Sequence, residues 1–289
     1  MTTVRTVADG FSFLEGPRWH DGRLWASDFY TRRVVAIDES GTVETIAEVP
    51  QQPSGLGWLP DGRLLVVSMR DHRLLRQESD GSLVEHADLS GLTDFHLNDM
   101  LVDGTGRAYI GDFGFDLMSG AAMRPGRVSV VGLDGSARVA APDMEFPNGM
   151  ALVDGGATLV AAETFGNRLT AFTLGSDGEL TDRRVWASFG PEPTSTDVHE
   201  AMAALAVAPD GICAGADNTI WVADAVGRRA IQVAEGGEIV AEVSSGDLHV
   251  FACALGGANG NTLFLCAAPS FAEHERKDTR EAVVLAAEV

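Results

Sequence analysis

Short apolar runs alternate with turns rich in Asp, Asn and Gly along the whole chain. The stretch Gly16-Pro17-Arg18-Trp19-His20-Asp21-Gly22-Arg23-Leu24-Trp25-Ala26-Ser27-Asp28 shows the unit: an apolar segment, an Asp-Gly turn, then a stronger apolar segment. The unit returns from Gly55 to Val67, from Asp99 to Gly111, from Gly149 to Ala161, from Gly211 to Val222 and from Cys253 to Leu265. Its starts lie roughly 40 to 60 residues apart, the spacing of propeller blades. A third apolar run follows the pair in each unit, as in Arg33–Ile37 and Arg168–Phe172. A fourth alternates, as in Thr42–Ala47 and Glu238–Val243. Turns built on Gly, Asn and Asp accept positive φ at low cost, so they punctuate short strands. Four strands per unit, repeated six times, predict an all-β, six-bladed β-propeller.

Closure supports this reading. The sixth unit holds only two strands before Glu281–Ala287 supplies a third. The N-terminal segment Thr3–Ala8 precedes the first unit and is available as the fourth strand of the last blade. That pairing leaves no open strand edge. No Pro/Ser-rich or low-complexity stretch divides the chain into two β-sandwich domains, so residues 1–289 are expected to form a single propeller domain.

Charge and cysteine content narrow the class. The formal net charge of −21, with no run of Lys or Arg, opposes contact with a polyanion, so nucleic acid is not an expected partner. No apolar run approaches the ~18 residues a membrane span needs. Met1–Arg5 lacks the apolar core of a signal peptide, which points to the cytoplasm. Cys213, Cys253 and Cys266 have no zinc spacing and read as buried, reduced thiols. The sequence lacks a GxSxG elbow, a Walker A loop, a strand-linked GxGxxG and an HExxH, which removes support for serine-nucleophile, nucleotide and zincin chemistry.

The residues immediately before the repeats are Glu15, Ser54, Asn98, Asn148, Asp210 and Ala252. The first strand of every propeller blade lines the central channel, so side chains at this shared phase converge at one of its ends. Four of the six carry carboxylate or amide oxygens. Burying such groups together is costly without a cation, and a hard or borderline divalent ion suits an all-oxygen shell. Asn148-Gly149 and Asp210-Gly211 are also common turn dipeptides, the competing reading for each pair taken singly. Each repeat already has a turn a few residues later, and Glu15 has no turn preference.

Leu14–Trp19, Asn98-Asp99-Met100, Phe146–Ala151, Pro209–Cys213 and Phe251–Gly257 resemble, in order, segments of the senescence marker protein 30, gluconolactonase and luciferin-regenerating enzyme family. The resemblance implies a six-bladed propeller and a metal-dependent hydrolase acting on a small lactone or ester. It implies that Glu15, Asn148 and Asp210 bind one divalent metal directly, with Ca²⁺ first and Zn²⁺, Mn²⁺ or Fe²⁺ as alternatives. It places Asn98 beside the metal or substrate. His96 stands where sugar-lactonase members often have Arg, which weakens the case for an aldonolactone and makes His96 a second candidate substrate contact.

The expected reaction adds water to the lactone carbonyl, with Asp210 as general base and Asn98 and Asn148 orienting the carbonyl. Asp99 has a supporting place behind Asn98. Long loops at Asp112–Arg127, Ser188–Pro209 and Pro269–Glu281 share this face, the second containing a short helix near Val198–Leu205. Phe113, Phe115, Leu117 and Met118 form either an apolar wall or packing beneath their own loop. Two further functions remain open on the sequence: phosphotriester or other ester hydrolysis at the same site, and a non-catalytic interaction platform.

Overall fold

A blade buried on both sides needs apolar residues at successive positions of its middle strands, whereas its outermost strand needs them only on one face. The computed structural model, which describes residues 3–289, follows that rule. Leu64–Ser68, Thr158–Glu163 and Ile220–Asp224, each second in its blade, are buried at every residue. The outer strand Val43–Glu48 is exposed or half-buried throughout. Between blades one and two, Trp25, Val34, Leu56 and Val66 pack into one apolar layer.

Six four-stranded antiparallel sheets stand in a ring, giving the six-bladed propeller anticipated from the repeats. The inner strands are Leu14–His20, Pro53–Trp58, Leu97–Val102, Pro147–Val153, Pro209–Ala214 and His249–Gly256. Each packs against the next, and the last packs against the first. Five blades run from inner to outer strand in chain order. The sixth is closed by the N-terminus: Val4–Phe11 pairs antiparallel with Ala282–Glu288, Val4 opposite Ala287 and Thr6 opposite Leu285. First and last strands of the chain thus lock the ring and cover what would be an open edge.

A second repeat sets the heights of the loops. The second strand of several blades ends in a buried acid that pairs with an Arg opening the third: Asp28 with Arg33 at 3.3 Å, Asp112 with Arg127 at 3.3 Å, Glu163 with Arg168 at 2.9 Å, Asp224 with Arg229 at 3.0 Å. Three of these acids also accept a backbone N–H from the segment leading into the inner strand: Asp28 from Phe13 at 3.2 Å, Glu163 from Glu145 at 2.6 Å, and Asp224 from Ala208 at 3.2 Å. Each therefore ties three segments together directly above the start of an inner strand. The sequence does carry this signal, as an acid and an Arg five residues apart at 28/33, 163/168 and 224/229.

Candidate functional site

The inner strands share a β-bulge at one height. In blade five Pro209 pairs with Asp224 and Ile212 with Val222, so three steps on the inner strand match two on its neighbour. Blades two, three, four and six repeat the offset, and blade one is irregular between Glu15 and Arg18. A bulge bends a strand and re-aims its side chains. Here it brings Glu15, Asn98, Asn148 and Asp210 to one cavity at one end of the channel.

At this height the competing turn reading falls away and one expectation changes. Asn148-Gly149 and Asp210-Gly211 are strand residues, not turns. Gly149 is required by close packing: a Cβ there would meet the amide nitrogen of Ile212 on the adjacent inner strand. In blade six, repeat matching pointed to Ala252, but Val250 pairs with Ala267 and Cys253 with Leu265, so Phe251 takes the equivalent place. Phe251 lines the cavity, and Ala252 sits against Gly211. The offset arises because the sixth repeat enters its bulge one residue earlier than the apolar pattern suggests. Ser54 is buried without lining the cavity, its carbonyl accepting a hydrogen bond from the Ser27 hydroxyl at 2.5 Å.

Glu15 and Asp210 are only 7% and 8% exposed. Burial, then the charges of Asp210 and Asp99, hold the Glu15 carboxyl well above its usual range, against a weaker opposing effect of the Gly16 amide and Arg18. Burial and then Asp99 push Asp210 up in the same way, while a hydrogen bond from Asn148 acts against the shift. Among the described residues, Oδ1 of Asp210 has no hydrogen-bond partner. Asp99 is buried beneath the site, where its Oδ1 accepts from Arg18 at 3.0 Å and from the Met100 amide at 2.8 Å. The Arg18 guanidinium is committed to Asp99 and the Met100 carbonyl.

The two amides are held from the neighbouring blades. Asn98 Nδ2 donates to the Pro147 carbonyl at 3.1 Å. Asn148 Nδ2 donates to the Thr164 hydroxyl at 3.3 Å, which itself donates to the Pro209 carbonyl at 2.8 Å. Thr164, on the loop leaving the second strand of blade four, lines the cavity and was not singled out by its sequence context. Both side-chain carbonyl oxygens remain free to accept or ligate.

Aromatic rings wall the cavity. Phe13 and Phe146 enter from segments leading into inner strands and Phe251 from the inner strand of blade six; Phe29, Phe113 and Phe165 come from loops leaving second strands. Their centroids lie 4.8 Å apart for Phe13–Phe251, 4.6 Å for Phe113–Phe146 and 5.3 Å for Phe146–Phe165. Leu117 and Met118 join the wall as anticipated, whereas Phe115 packs behind Phe146 and Phe165. The helix Val198–Ala204, capped by Asp197 accepting from the Glu200 amide at 3.0 Å, contributes Met202. His96 lies outside the lining, its ring tilted against Phe95 at 4.1 Å and near Phe113 at 6.0 Å. Burial, reinforced by Arg70 and His72, lowers its pKa to about 4, so the ring is neutral at pH 7.

A closed six-bladed ring with acids and amides gathered at one mouth defines a propeller with a polar centre under an apolar vestibule. The chain belongs to the SMP-30/gluconolactonase/LRE-like family, whose sequence profile it matches over residues 13–269. Among solved structures it is similar to a gluconolactonase from Xanthomonas campestris, with 22% identity over 99% of this chain and 89% of that one, at a TM-score of 0.76. It is also similar to a luciferin-regenerating enzyme, with 17% identity, 100% and 96% coverage and a TM-score of 0.81. A third relative is a calcium-binding regucalcin from Agrobacterium tumefaciens, with 19% identity, 99% and 95% coverage and a TM-score of 0.79. No helix among the described residues is long and apolar enough to cross a membrane.

Proposed function

We propose that this protein is a divalent-metal-dependent hydrolase that opens a lactone ring in the aromatic cavity. The observation that carries the reading is Oδ1 of Asp210: a buried carboxylate oxygen with no partner, beside Glu15 and the amide of Asn148. Among the described residues no three His, Cys, Asp or Glu side chains form a ligand cluster, so a site here draws on amide oxygen as well as carboxylate. Two carboxylates and one amide fit a hard cation. Glu15, Asn148 and Asp210 would hold the ion, with Ca²⁺ as first choice and Zn²⁺, Mn²⁺ or Fe²⁺ compatible with the same oxygens. The gluconolactonase and the calcium-binding regucalcin among its structural relatives support both halves of the reading.

When bound, such an ion supplies a Lewis acid for the carbonyl oxygen and lowers the pKa of nearby water. The chain's residues supply position and proton transfer. Asn98, fixed by the Pro147 carbonyl, orients the lactone carbonyl and steadies charge developing on its oxygen. Asp210 takes a proton from the attacking water as the new acyl carbon–oxygen bond forms. The ring carbon–oxygen bond then breaks, the departing alkoxide takes that proton, and a hydroxy acid results. The aromatic walls exclude bulk water from these steps.

The test strips the protein with chelator, restores each divalent ion in turn, and assays a lactone panel beside an organophosphate triester. Metal-dependent lactone opening is the expected result. Turnover of the triester alone would replace the lactonase reading with phosphotriesterase activity. Absence of any divalent-ion binding would overturn the metal assignment.

A further inference from the structure

We infer that the natural substrate carries apolar substituents, an aryl or alkyl lactone, and that the cavity rejects polyhydroxylated sugar lactones; this deepens the lactonase reading and rests on it. Above the polar floor the walls are the aromatic rings of Phe13, Phe29, Phe113, Phe146, Phe165 and Phe251. Among the described residues, no Arg, Lys or His lines this cavity. Nearly every donor facing it is already used. The Tyr30 hydroxyl donates to the Phe271 carbonyl at 2.6 Å, Thr164 donates to Pro209, and Asn148 is shared between Thr164 and Asp210. Among the described residues lining the cavity, one N–H of Asn98 is the only side-chain donor left over, and the lactone carbonyl needs it. A sugar lactone would bring several hydroxyls against ring faces, away from the carboxylate and amide oxygens of the floor.

Each such hydroxyl, desolvated and unpaired, costs about tenfold in affinity. An aryl or alkyl group gains instead from contact with the rings and carries no polar atoms to strand. Three stranded hydroxyls already put the preference for an apolar lactone on the order of 1,000-fold. The Phe13–Phe251 and Phe113–Phe146 pairs are the specificity-determining elements, because they flank the floor from opposite sides of the ring of blades.

Non-hydrolysable lactams separate recognition from turnover. Metal-loaded protein is titrated calorimetrically with 3,4-dihydroquinolin-2-one and with glucono-δ-lactam, and the matching lactones are assayed for hydrolysis. The aryl lactam is expected to bind at least 100-fold tighter, with hydrolysis following the same order. Equal or tighter binding of the polyhydroxylated lactam, or binding of neither, overturns the inference. Tight aryl-lactam binding with no lactone hydrolysed by any metal form leaves the apolar ligand class standing and overturns the lactonase reading. Phe251→Asn should narrow the ratio at least tenfold. Phe271→Ser, on the loop that follows the strand Thr262–Ala268, offers the same readout if the first variant does not fold. An unchanged ratio in a folded variant would remove the rings from the selection.

Discussion

Asp210→Asn separates the two consequences of burying an acid at the floor of the cavity. Without a cation, Asp210 and Glu15 are desolvated and repel each other and Asp99, so both hold protons to higher pH than the ordinary values of 3.8 and 4.5. A folded-state pKa above the unfolded one means that the native state binds more protons across that window. Stability of the metal-free protein therefore falls as pH rises from the ordinary carboxylate range toward the raised values. Asn at position 210 removes one acid and its repulsion, so the metal-free variant should be more stable than the wild type at pH 8, by about 1–3 kcal/mol. With a divalent ion the wild type gains more than the variant, by about 2.3 kcal/mol, which narrows or reverses that order. An ion at 100 times its Kd stabilises the wild type by about 2.7 kcal/mol, roughly 5 °C or more in Tm for a chain of this size. Loss of a direct ligand that weakens binding about 100-fold leaves only about 0.4 kcal/mol at the same concentration. Thermal melts of both proteins at pH 5 and pH 8, with and without metal, read all four quantities. A variant that keeps the full metal-induced shift would refute the ligand role. A wild-type protein whose metal-free Tm gains on the variant from pH 5 to 8 would refute the electrostatic argument.

Other expectations test the scaffold around the site. Asp224→Ala removes the buried one of the two acids that pair with Arg229 and leaves the Ala208 amide without its acceptor, so chemical denaturation should show a loss of about 1–3 kcal/mol. Gly149→Ala drives a methyl group into the backbone of the blade-five inner strand, and should cost about 1–3 kcal/mol while reducing metal affinity measured by calorimetry. His96→Gln should leave the pH–rate profile unchanged above pH 6, because the ring is already neutral there. The same variant should lose a stability contribution that, in the wild type, is present above pH 6.5 and fades as pH falls toward 4; melts across that range read it.

How far the sequence leads differs from residue to residue. Glu15, Asn98, Asn148 and Asp210 could be brought together before any coordinates because each stands at the same phase of a periodic apolar pattern, and phase in a propeller is position around the channel. Phe251 escaped because a one-residue bulge is invisible in that pattern, and a shift of one residue exchanges the side chain that faces the cavity. Asp99 and Arg18 show the same limit: which acid is neutralised by a cation depends on a contact across 81 residues of chain. The position of His96, two residues from Asn98, suggests a substrate contact, yet its ring packs beside Phe95 outside the lining, since the strand begins only at Leu97.

Repeat spacing, turn chemistry and strand alternation, all local properties, determined the number of blades, the order of strands and the closure of the last blade by the N-terminus. They were sufficient because every strand must bury apolar residues against its immediate neighbours, and local pattern records that demand. Three matters were decided only in the folded ring: that the residue of blade six facing the floor is aromatic, that Asp210 keeps an unpartnered oxygen, and that nearly every donor around the cavity is already engaged. Each depends on side chains contributed by different blades at one height. That height is set by bulges and by buried acid–arginine ties, whose partners meet only when the ring closes.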